Sequence, residues 1–243
     1  MTLPTYHGPT LVRAMRATAH ALDRDPASAV LKHLCLWADA NGPSGGPELV
    51  VVATDGKFLL EHRVLPQGAP GTMNPSPRPL AVVGEPLPFG MSEGMILDWR
   101  SVNRVALTDL MTEPRPHKPG TTKARVFSLD RDGLHINGPG LAVSVLRAVS
   151  AGRDSAPAYL RNFPNYVSAL AVAADAKLQP RVGLHSTYLT KLKEGLALRE
   201  APGYSAAMVM TQGRGLVFRP AAANSIGTKA TALVMPISLP DPA

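Results

Sequence analysis

The sequence predicts an α+β fold made of repeated helix-plus-antiparallel-strand units, with the helices on one face of the sheets. Three observations predict it. Helical patterns begin near residues 10, 98 and 186, each is followed by apolar runs of strand length, and the runs are separated by tight turns rich in Gly and Asp. Strands that follow one another through tight turns pair antiparallel, which leaves the helices to collect on one side.

The first unit opens at Thr10, read as an N-cap, and places Leu11, Met15, Ala19 and Leu22 at helical spacing up to Asp25-Pro26, where a helix should stop. Strands are predicted at Val30 to Ala38, Leu49 to Thr54 and Lys57 to Val64. The second unit has a candidate helix from Asp98 through Val102 and Val105 to Leu110. Its strands are Ala124 to Leu129, Leu134 to Asn137 and Ala142 to Ala148, turned by Asp130-Arg131-Asp132-Gly133 and Gly138-Pro139-Gly140. The third unit has a helix from Ser186 or Thr187 through Leu189, Leu192 and Leu196, then strands at Ala206 to Met210, Leu216 to Arg219 and Thr231 to Ile237, with Gln212 to Gly215 as a hairpin turn. Pro66 to Gly94 and Thr112 to Thr122 are proline-rich and read as loops, and Gly152 to Pro180 reads as a mixed connector.

Length and composition bound the function. The 243 residues, 45% of them apolar, suffice for one large or two ordinary domains. No apolar run approaches a membrane span and the first residues do not resemble a secretion signal, so a cytoplasmic protein without a membrane partner is expected. The single Cys35 lies in the apolar run Leu34 to Trp37 and reads as core. With 25 Lys and Arg against 18 Asp and Glu, the formal charge is +7, which favours polyanionic partners. The 5% aromatic content argues against a surface that stacks single-stranded bases.

The basic residues fall on the helices. Arg13, Arg16, His20 and Arg24 recur every three or four residues and line one face of the first helix, which has no acid before Asp23. Arg100 and Arg104 lie on the second helix, and Lys191 and Lys193 on the third. If the helices share one face, these side chains form a surface for phosphates, sequence-independent and salt-sensitive. A solvated helix face also carries charge for no other reason than solubility.

Four stretches, Val52-Ala53-Thr54-Asp55-Gly56-Lys57-Phe58-Leu59, Phe163-Pro164-Asn165-Tyr166, Met95-Ile96-Leu97-Asp98 with Val102, and Leu233-Val234-Met235-Pro236-Ile237-Ser238-Leu239, resemble in order motifs of the bacterial DNA polymerase III beta sliding clamp family. The Met95 to Asp98 stretch resembles the start of that family's second helix. The resemblance implies a DNA-clamp-like fold in which residues 1–165 form a clamp-like domain of two helix/strand units and residues 166–243 a half-domain ending in a peptide-pocket strand. It leaves the first of the family's usual three domains without a counterpart. By the same resemblance, Leu31, Thr54, Gly56, Lys57, Phe58, Leu59, Val102, Val234, Met235, Pro236, Ile237 and Leu239 would line a pocket for short peptides of polymerases and other DNA enzymes. An apolar, Met-containing cleft suits a Leu or Phe anchor, although the same residues would equally serve as core.

The implied function is that of a processivity factor: double-stranded DNA held without base specificity, a DNA polymerase or other protein tethered by its clamp-binding peptide, and a homo-oligomeric ring. The alternative is a non-encircling adaptor or decoy with the same pocket. Departures from the family pattern at Phe58, Asp98, Asn165 and Ser238 imply altered peptide preference. An enzyme is not expected. The seven histidines lack metal-site spacing, neither Gly138-Pro139-Gly140 nor Gly213-Arg214-Gly215 has the Lys-Ser/Thr of a phosphate loop, and no cofactor is implied.

Overall fold

The computed structural model describes residues 6, 8–22, 33–39, 41–66, 95–99, 126–130, 133–138, 141–146, 166–174, 183–198, 208–212, 215–221 and 224–236. Helix α1 spans Gly8–Thr18 and tightens into a 3-10 turn at Ala19–Ala21. It begins two residues before Thr10, with Pro9 in the first turn, where a missing N–H leaves no bond unmade. The backbone turns extended at Leu22, whose N–H donates to the Ala19 carbonyl.

Strands β1 (His33–Asp39), β2 (Glu48–Thr54) and β3 (Phe58–Val64) form an antiparallel meander, as the sequence predicts to within a few residues. The next two elements depart from expectation. Met95–Asp98, read as the start of a helix, is strand β4, paired antiparallel with the free edge of β1. Three apolar residues and an aspartate have no period of their own, and a vacant sheet edge decides between strand and helix. Trp99, the next residue of the candidate helix, is helical and packs against the core, while Arg100 to Leu110 lie outside the described residues, as do nearly all of the two proline-rich loops. The second correction is the connector, part of which is helix α2 (Tyr166–Ala174).

Strands β5 (Val126–Asp130), β6 (Gly133–Gly138) and β7 (Leu141–Leu146) form a three-stranded antiparallel sheet from two tight hairpins. Helix α3 (Thr187–Gly195) is followed by β8 (Met208–Gln212), β9 (Leu216–Pro220) and β10 (Lys229–Val234). Pairing of β10 with β3 joins the first and third units into one seven-stranded sheet, ordered β4-β1-β2-β3-β10-β9-β8. This pairing connects residues on both sides of the boundary expected at 165/166.

Both faces of the large sheet are covered, which is why β2 is buried along its whole length and reads as a continuous apolar run. On one face Leu34, Leu36, Val51, Leu60 and Ala232 pack under Leu11, Val12 and Met15 of α1 and Leu192 of α3. On the other, Cys35, Trp37, Val50, Val52, Val217 and Leu233 pack with Tyr166 and Leu170 of α2. Strand alternation assigns each residue its face. Helices α1 and α3 therefore share a face, as predicted, and α2 occupies the opposite one. Burial pushes the Cys35 thiol up to about 12, in keeping with a core residue.

Candidate functional site

The hairpin between β2 and β3 is built by its own side chains. Gly56 has φ 88°, a conformation that favours glycine, and its N–H donates to Thr54 Oγ1 at 3.0 Å. Asp55 Oδ1 accepts the N–H groups of Lys57 (3.0 Å) and Phe58 (2.7 Å), while Asp55 N–H donates to the Phe58 carbonyl at 3.0 Å. The last regular pair of β3 and β10 is Phe58 with Val234, and the Met235 N–H donates to the Lys57 carbonyl at 2.8 Å. The turn and the end of β10 thus meet at one end of the sheet.

Of the twelve residues expected to line a peptide pocket, eight are described, and they divide between the sheet's two faces. Phe58 and Val234 are buried in the core beneath α1 and α3. The Phe58 ring stacks on Tyr188 of α3, with centroids 5.3 Å apart. Leu59 is buried on the α2 face, and the alternation puts Thr54 there too. Gly56, Lys57, Met235 and Pro236 are exposed, Met235 by 45%. Leu31, Val102, Ile237 and Leu239 lie outside the described residues.

The basic residues are placed unevenly as well. Arg13 and Arg16 stand exposed on α1, and neither makes an ion pair among the described residues. His20 meets Glu194 at 3.1 Å, a contact that ties the end of α1 to α3. Lys193 is exposed. Lys191 is committed elsewhere: its ammonium lies 2.7 Å from Asp55 Oδ2, and 5.5 and 5.6 Å from the ring centroids of Phe58 and Tyr188. Burial and the Asp55 charge raise the Tyr188 hydroxyl. Arg24, Arg100 and Arg104 are outside the described residues. Leu189, one of the apolar residues that mark the third helix in the sequence, is exposed on α3.

Sequence reasoning missed Asp55 as the anchor of Lys191, because the two are 136 positions apart. It also missed Tyr188, whose place one helical turn before Lys191 was the available signal. Among the described residues no three His, Cys, Asp or Glu side chains gather as a metal site, and no helix is long and apolar enough to cross a membrane.

No family model matches the chain, and none of the curated proteins matches it. Solved structures do. The C. crescentus beta sliding clamp is 14% identical, with 97% of this chain covered and a TM-score of 0.53. The DNA polymerase III subunit beta from Pseudomonas aeruginosa is 12% identical over 98% of this chain, with a TM-score of 0.51. A Helicobacter pylori beta clamp bound to a DNA ligase peptide is 12% identical over 97%, with a TM-score of 0.50. This chain spans 65% of the length of each of the three. At these identities the likeness establishes a clamp-like fold.

Proposed function

We propose that the chain works as a DNA sliding-clamp-like protein, binding duplex DNA without base specificity and tethering a DNA polymerase or another DNA enzyme through a clamp-binding peptide. The observation that carries this reading is a clamp-like sheet whose α1 and α3 lie side by side, with Arg13 and Arg16 exposed on α1 and no ion pair for either among the described residues. Such side chains suit phosphates, whose contacts release counterions and read no bases. The exposed Gly56, Lys57, Met235 and Pro236 at the end of β10 supply the peptide edge.

Lys57 and Met235 continue the alternation of Leu59 and Leu233, so they belong to the sheet face opposite α1 and α3. DNA and peptide would then occupy different faces and could be bound together. Tethering of this kind acts by raising the local concentration of the partner at the template. The reading is that of a binding protein and not of a catalyst.

The test measures duplex-DNA affinity against salt for the wild type and the double variant Arg13→Ala/Arg16→Ala, alongside binding of a fluorescein-labelled Gln-x-x-Leu-Phe peptide. Losing two phosphate contacts should lower the slope of log K against log salt by about two while leaving peptide binding unchanged. Met235→Ala should do the converse. Equal salt slopes would remove the helix face as the DNA surface. Light scattering would then separate a homo-oligomeric ring from a monomeric adaptor of 25.7 kDa.

A further inference from the structure

We propose that the helix face takes up a proton as it binds duplex DNA, and that His20, bridged to Glu194, is the side chain that accepts it. The proposal rests on the duplex-binding reading above and adds its regulation.

Arg13, Arg16 and His20 follow one another at three- and four-residue spacing and are all exposed, so they share the outer side of α1 and of the 3-10 turn that extends it. The inner side of that turn is core, where Ala21 is buried in one cluster with Leu192 and Leu196 at the end of α3. On the solvent side of this contact His20 Nδ1 reaches Glu194 Oε2 at 3.1 Å, and both side chains are half exposed.

Charge at this place runs against the rest of the face. The last carbonyls of a helix carry partial negative charge. The ends of α1 and α3 meet here, and Glu194 adds a full negative charge to them. Phosphates drawn to Arg13 and Arg16 therefore encounter an anionic spot one turn further along.

The state of the imidazole decides how that spot meets DNA. A neutral ring has one N–H, and bonding the carboxylate through Nδ1 uses it, which leaves Nε2 a bare acceptor that a phosphate oxygen cannot bond. A second proton offsets Glu194, suits both helix ends and turns Nε2 into a charged donor for phosphate. The neighbouring charges are Arg16 on α1 and Lys193 beside Glu194, while Lys191 is held by Asp55. Strand β2 turns apolar Leu49, Val51 and Ala53 to this side, and β3 brings His62, buried against the Gly195 carbonyl and held neutral down to about pH 4. Imidazole is the side chain that changes charge near neutrality, which among these groups leaves His20.

The experiment measures affinity for a rhodamine-labelled duplex against salt, by anisotropy, at about pH 6 and about pH 8. The contact is exposed, so wild type should bind about two- to fivefold more tightly at the lower pH in low salt. Its slope of log K against log salt should be steeper there by up to about one, the mark of one added phosphate contact. His20→Gln should show the same affinity and slope at both pH values, which also sets aside Asp23 and Arg24 as the source. His20→Arg should keep at the higher pH the behaviour that wild type shows at the lower. Glu194→Gln should bind more tightly than wild type at the higher pH, with an unchanged circular dichroism spectrum in all three variants. Equal wild-type binding at the two pH values, a pH dependence that survives His20→Gln, or a Glu194→Gln variant no tighter than wild type would overturn the assignment and leave duplex binding in place. Failure of wild type to bind the duplex at either pH would overturn both.

Discussion

At one end of the seven-stranded sheet Arg63 sits among three carboxylates, whereas at the other, among the described residues, Lys191 pairs with the single carboxylate of Asp55 and Lys57 has no ion pair. Arg63 Nη1 donates to Asp39 Oδ2 at 2.8 Å and Glu48 Oε2 at 3.1 Å, and its Nε donates to Glu61 Oε1 at 2.6 Å. Glu48 also accepts from the N–H and hydroxyl of Ser44 and lies 3.7 Å from Lys229 Nζ. Burial works against the charged guanidinium, but Glu61 and the hydrogen bonds to Asp39, Glu61 and Glu48 raise its pKa on balance. Trp37 lies under the guanidinium and donates its indole N–H to the buried Tyr166 hydroxyl at 3.1 Å, so α2 is docked by the same end. The difference teaches where charge serves the fold and where it is left available for a ligand.

Substituting a cation at each end tests that contrast most severely. Arg63→Met strands three carboxylates, two of them buried, and should cost about 3–5 kcal/mol of stability by urea unfolding. Lys191→Met removes one partly exposed pair and should cost about 1 kcal/mol or less. Similar losses at the two ends would abolish the distinction.

The next effect lies on the helix side of the Arg63 end. Buried His62 donates from Nε2 to the Gly195 carbonyl at 2.6 Å and accepts from Thr228 Oγ1 at 2.8 Å through Nδ1, and Asn224 Nδ2 donates to Thr228 at 3.1 Å. Burial lowers the His62 pKa to about 4, with the Gly195 carbonyl opposing. Because the folded pKa is depressed from 6.5, the unfolded chain takes up the proton first. The contribution is complete above pH 6.5 and is lost as pH falls toward 4. Unfolding at pH 7.5 and about pH 4.5 should differ by on the order of 2 kcal/mol from this residue, and His62→Gln should remove most of that slope. An unchanged slope in the variant would remove His62 as the source of the acid sensitivity.

The smallest effect is at the close of α3. Leu198 N–H donates to the Lys193 carbonyl and Ala197 N–H to the Glu194 carbonyl, a Schellman closure that puts Ala197 at φ 50°. A glycine is usual there. The loop holds Ala197 in place, since its carbonyl accepts both the N–H (2.9 Å) and the hydroxyl (3.0 Å) of Ser225. Ala197→Gly should raise stability by about 0.5–1 kcal/mol, read as a higher urea midpoint, without altering peptide or DNA binding. A loss of stability would mean that chain entropy outweighs the relief of strain.

Much of this architecture was legible in the residues. Helix α1, the hairpins of β1 to β3 and β5 to β7, and the Thr54-Asp55-Gly56 turn follow from period and turn chemistry, which are local. Helix α2 was not legible: Tyr-Val-Ser-Ala-Leu-Ala-Val-Ala-Ala is apolar nearly all round and has no amphipathic period to read. The candidate site was half legible. Lys57 and Met235 stand exposed where motif order suggested a pocket, while Phe58 and Val234 turned out to be core.

By itself the sequence determined helix α1, the strands β1 to β3 and β5 to β7 with the turns between them, and that basic residues outnumber acids on α1, because backbone propensity and side-chain spacing act within a few residues. Only the tertiary structure decided that β3 pairs with β10, that Lys191 belongs to Asp55 and that Lys57 belongs to no partner among the described residues. Strand register assigns every side chain to one face or the other, and register is set by contacts between segments far apart in the chain.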